Sequence, residues 1–126
     1  MLAALENGRR DMARELAEAD PDRVTAAQAA ALMMVFADIE RLGAAGKVLF
    51  SKRASESMAW RDEGHRTPAS WMAHTTGTGV GEAMAALETS AALGSLPETA
   101  DALRRGELSA SQLKIVAAAA AVDPGT

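Results

Sequence analysis

Between Leu32 and Phe50 the large apolar residues return every three or four positions: Leu32, Val35, Phe36, Ile39, Leu42, Leu49 and Phe50. A period near 3.6 marks an α-helix with one apolar side, and no other pattern in the chain is as long. Nothing competes with it. No stretch alternates apolar and polar residues, and β-branched residues are too few to build strands. The pattern opens at Thr25, which stands three residues before Gln28 as in a capping box. The spacing predicts one long helix over 25–62, packed on one side and free to bend near Gly43 and Gly46. Each glycine costs about 1 kcal/mol relative to Ala in a helix interior, but also lets a neighbouring helix come close. Gly64 is the expected stop.

The remaining segments are shorter. Residues 1–19 place Leu5, Met12 and Leu16 on one helical face, interrupted by Gly8 and ended by Asp20-Pro21-Asp22. Thr67-Pro68 restarts a helix with proline in its first turn, and Gly77-Thr78-Gly79 turns the chain into a second helix over 79–93, ended by Gly94. Ser95 and Glu98 have capping-box spacing around Pro97, and the helix they open runs to about Arg105, with Gly106 after it. Ser109 and Gln112 repeat the capping spacing and open a last helix through Leu113, Val116, Ala117 and Ala120. The fold class expected is all-α: one long helix followed by short helices in two helix-turn-helix-like hairpins. The domain expected is a single helical one over 1–126, with 1–22 weakly attached, the long helix over 25–62, the hairpins over 67–121, and an incomplete C-terminal end.

Composition narrows the function. Hydrophobic residues make up 48% of the chain, enough for a core. Alanine supplies much of that fraction, so the helices should be closely spaced and the stability modest. The methionines Met33, Met34, Met58, Met72 and Met84 suit gaps in such a core or, alternatively, a partner groove. A net charge of −4 argues against strong sequence-independent binding to nucleic acid. Cysteine is absent, which excludes disulfides and thiolate zinc sites. No apolar run is long enough for a bilayer, and the acidic N-terminal residues Glu6, Asp11 and Glu15 are unlike a secretory signal. A cytoplasmic protein with no membrane partner is expected.

The chemistry-bearing residues do not assemble into a catalytic or metal site. His65 and His74 lie nine residues apart on different elements and are expected to be surface residues. Gly77–Gly81 follows a helix and lacks the lysine of a phosphate loop. The stretch Lys47 to Arg66 holds five basic and three acidic residues, the pattern of a solvated helix face. No enzyme activity, cofactor or small-molecule substrate is expected. The second hairpin is the better candidate for nucleic acid. Arg104 and Arg105 close its first helix, and Gln112 and Lys114 lie at the start of its second, where such side chains meet phosphates and bases. The same residues also have plain structural uses: two arginines complement a helix C-terminus, and Ser109 with Gln112 caps the next helix.

From Thr67 onward the chain resembles a known family. The stretches that carry the resemblance are Thr67-Pro68-Ala69-Ser70-Trp71-Met72, Leu96-Pro97-Glu98-Thr99-Ala100-Asp101-Ala102-Leu103, Gly106-Glu107-Leu108-Ser109, then Gln112 and Ile115-Val116. They are similar to the domain-of-unknown-function 222 family of actinobacteria, and the Ala, Arg and Gly usage suits a high-GC bacterial genome. The resemblance implies a helical module that stands ahead of an HNH endonuclease domain. It also implies that this chain is a truncated or N-terminal piece and carries none of the nuclease residues. Two expectations follow. One is a non-catalytic accessory module that aids nucleic-acid association through Arg104, Arg105, Gln112 and Lys114. The other is a module for protein–protein interaction or self-association with no nucleic-acid role.

Overall fold

The computed structural model describes residues 1–122. Among them are seven α-helices and no strand, as the helical periodicity requires. The chain divides into two compact units, Met1–Val35 and Phe36–Thr126.

The first unit holds α1 (Leu2–Ala17), a 3₁₀ turn (Pro21–Arg23) and the start of α2 (Ala26–Ser55). No residue of α1 is buried. Its apolar face is real but uncovered: Leu5 and Leu16 are exposed, and Met12 is half-buried. Asp20 accepts a hydrogen bond from the Asp22 amide at 3.0 Å and so tightens the turn. Thr25 and Gln28 form the expected capping box. The Gln28 amide donates to Thr25 Oγ1 at 3.1 Å, and the Thr25 amide donates to Gln28 Oε1 at 2.9 Å.

The second unit holds the rest of α2 together with α3 (Ala59–Asp62), α4 (Pro68–Thr76), α5 (Val80–Ala92), a 3₁₀ turn (Leu93–Ser95), α6 (Pro97–Arg104) and α7 (Ala110–Val122). The long helix expected to reach residue 62 ends at Ser55. Its last turn spends its carbonyls locally: Ser55 Oγ donates to the Lys52 carbonyl at 2.6 Å, and the Trp60 indole donates to the Ser55 carbonyl at 3.0 Å. Met58 then takes a left-handed conformation with φ of 66°, which no continuing helix tolerates. Gly77 and Gly106 end α4 and α6 with φ of 73° and 69°, as their positions suggested, whereas Gly64, expected to stop the long helix, follows the separate α3 with φ of 86°. The capping box expected of Ser95 and Glu98 does not form. Ser95 belongs to the 3₁₀ turn, where its hydroxyl donates to the Ala92 carbonyl at 3.0 Å, and the residue before α6 is Leu96, which caps nothing. Gly94 lies inside that turn instead of ending α5 with a positive φ.

Small residues make the core. Ala45, Val48 and Leu103 form one buried cluster, against which Leu49, Ala86, Leu93, Leu108 and Leu113 pack. Ala69, Ala73 and Ala83 form another, with Met72 and Leu87 beside it. The methionine expectation is corrected here: Met33, Met34, Met58 and Met84 are exposed, and only Met72 of that group packs against a cluster. Gly43 and Gly46 do not serve a close helix crossing either. A Cβ built at either position meets nothing within 4 Å. Gly43→Ala should therefore stabilise the chain by about 0.5–1 kcal/mol, through helix propensity and a less flexible unfolded state. Urea unfolding followed by circular dichroism measures it, and a loss of stability would show that the glycine is needed.

Candidate functional site

The sequence singled out Arg104, Arg105, Gln112 and Lys114, and the structure gives them different employment. Arg104 is the last residue of α6 and exposed. Arg105 folds back on Glu107. Its Nε donates to Oε1 at 3.0 Å and its Nη2 to Oε2 at 3.2 Å, a two-pronged pair in open solvent. The hydrogen bond, and then the attraction between the charges, hold the Arg105 pKa above its ordinary value. The same hydrogen bond holds the Glu107 carboxyl below the usual carboxylate range. Gln112 is spent as well: its Oε1 accepts from the Ser109 amide at 2.8 Å, and its own amide donates to Ser109 Oγ at 3.3 Å. Arg104 and Lys114 have no ion-pair partner among the described residues.

The basic stretch Lys47 to Arg66 is spread over several elements. Arg53 pairs with Glu56 at 2.6 Å, and the Arg61 guanidinium lies 5.2 Å from the centre of the Trp60 ring. His65 and His74, expected apart, come together. Their ring centroids are 5.5 Å apart at 44°, and His65 Nδ1 lies 3.2 Å from Ser70 Oγ. The turn at Gly64 and the restart at Thr67-Pro68 fold α4 back along α3, a juxtaposition that spacing along the chain does not reveal. Among the described residues no group of three or more His, Cys, Asp or Glu side chains is placed to hold a metal ion.

An apolar cavity of about 270 Å³ opens in the second unit. Val48, Phe50, Trp71, Met72 and Ala86 line it, with Lys114 beside them. Ser51 is buried and supplies no free polar group there, because its hydroxyl is shared between the carbonyls of Val48 at 3.0 Å and Ala86 at 3.2 Å. Trp71 Nε1 donates to Glu63 Oε2.

The largest departure from the sequence expectation is on α2. Its stripe was expected to be packed on one side, yet burial begins only at Ala45, followed by Val48 and Ser51. Ahead of that point the helix is bare. Leu32, Val35, Phe36, Ile39 and Leu42 are exposed, and Met33 and Met34 are 70% and 68% exposed. Five consecutive large apolar residues, Leu32 to Phe36, cover the helix on nearly every side. Among the described residues no helix is long and apolar enough to cross a membrane.

Compared with known proteins, residues 29–124 match the family model described as domain of unknown function, DUF222. Neither curated proteins nor solved structures gave a match.

Proposed function

The chain belongs to the DUF222 family, and on that footing we propose that it is a non-catalytic helical accessory module that docks onto another polypeptide through the bare part of α2. The uncovered run Leu32–Phe36, continued by Ile39 and Leu42, carries this reading. A helix that is apolar on most sides belongs inside an assembly, and soluble chains rarely keep a contiguous apolar patch of this kind in water without a use for it. Covering about 400 Å² of it releases on the order of 10 kcal/mol before the costs of association. A role ahead of an HNH nuclease, which the family resemblance implies, suits a module that brings partners together.

A second reading, nucleic-acid association, keeps one observation: Arg104 and Lys114 are exposed and carry no ion pair among the described residues. Arg105 and Gln112 support it less, since Glu107 and Ser109 already engage them. Two titrations separate the readings. In the first, a dye that fluoresces on apolar surfaces should respond to dilute chain and lose most of that response in Leu32→Glu/Ile39→Glu. In the second, labelled duplex DNA followed by anisotropy should stay flat at low and at physiological salt. No dye response from the dilute chain sinks the docking proposal. Salt-sensitive DNA binding that Arg104→Glu/Lys114→Glu abolishes establishes the other.

A further inference from the structure

We infer that the partner on α2 is a second copy of this chain, packed antiparallel about a two-fold axis near Ala37. The inference rests on the docking role proposed above and names its occupant. Leu32, Val35, Ile39 and Leu42 are spaced three, four and three residues apart, which aligns them as a knobs-into-holes seam along one helix. The seam is self-complementary. When the helix is turned end for end about position 37, Leu32 falls opposite Leu42 of the other copy and Val35 opposite Ile39, so a single patch serves both sides, as a two-fold contact demands. Phe36 flanks the seam.

The charges permit the pairing. Asp38, an acidic residue beside the seam, pairs with Arg41 of its own helix at 3.5 Å, which offsets part of its charge. Area sets the strength. The four seam side chains and Phe36 together expose roughly 400 Å² per copy, below the about 800 Å² per partner of a standard interface. A reversible, concentration-dependent dimer follows.

The chain has no cysteine, so thiols can be placed singly. Two variants of the full chain, Leu32→Cys and Leu42→Cys, are mixed with a short thiol cross-linker, and mass is measured across a wide concentration range. The expected result is a mass that doubles as concentration rises, with at least a tenfold weaker association for Ile39→Glu. Cross-links should form between the two variants and not within Leu32→Cys alone, because antiparallel pairing sets the two copies of position 32 about 15 Å apart along the axis. Cross-linking of Leu32→Cys to itself overturns the antiparallel arrangement. A chain that stays single at every concentration, while its α2 still lights the dye, overturns the second copy and leaves docking to a different polypeptide standing. A single chain whose α2 gives no dye response overturns both.

Discussion

Leu103→Ala should cost the second unit about 3 kcal/mol and lower its melting temperature by on the order of 15 °C. Leu103 is 0% exposed and sits where Ala45 and Val48 of α2 meet α6, with Leu49, Ala86, Leu93, Leu108 and Leu113 packed around that cluster. Most other buried positions in this unit are alanines. An alanine methyl removes little apolar surface from water, at about 25 cal/mol per Å², so the one fully buried leucine carries a large share of the burial. Truncating it also opens a cavity that the surrounding helices and the leucines packed on the cluster fill only in part. Leu103→Met keeps the volume and should cost less than about 1.5 kcal/mol. Trp60 and Trp71 both lie in residues 36–126, so their fluorescence follows this unit alone during unfolding. A fall of only a few degrees for Leu103→Ala would show that the core lies elsewhere.

Local signals were legible in the sequence, and contacts between segments were not. Thr25 with Gln28, Ser109 with Gln112, Thr67 before Pro68, and the terminating glycines Gly77 and Gly106 all act within a few residues of themselves, and the structure uses each as read. Ser95 had the same short-range pattern and failed, because the chain after α5 tightens into a 3₁₀ turn that takes its hydroxyl. The end of α2 depends on an indole five residues beyond Ser55, and no periodicity encodes that. The period of the Leu32–Phe50 stripe established that the helix has an apolar side. It said nothing of what covers that side, and Leu32, Val35, Phe36, Ile39 and Leu42 all remain exposed, Leu42 with one edge against the turn at Gly106. At the candidate site, Gln112 was asked both to cap and to read bases. Its carboxamide oxygen accepts from the Ser109 amide, and that turn is formed whether or not a ligand arrives. Glu107, two residues after Arg105, was the overlooked residue that engages that guanidinium.

Gly106→Ala should destabilise by about 1–2 kcal/mol, and the comparison with Gly77→Ala separates two causes. Both glycines have positive φ, 69° and 73°, and an L-residue in that region costs about 1 kcal/mol. Two bonds close the turn around Gly106: its own amide donates to the Leu103 carbonyl at 3.0 Å, and the Glu107 amide donates to the Ala102 carbonyl at 3.1 Å. A Cβ at Gly77 meets nothing within 4 Å, so Gly77→Ala pays the conformational cost alone. A Cβ at Gly106 would lie 2.8 Å from Leu42 Cδ2 and 3.0 Å from its Cγ. Leu42 must therefore swing away, and because it is half exposed, at 51%, it has room to do so at modest cost. Leu42→Ala removes the clash, so on that background Gly106→Ala should cost no more than Gly77→Ala does. A double-mutant cycle measures the difference. An unchanged cost for Gly106→Ala would mean that the turn alone sets it and that Leu42 does not press on α6. If the difference is found, the same leucine that seals the α6 turn from one side offers its other side to the α2 seam, and Gly106→Ala, by displacing it, should weaken self-association as well as folding.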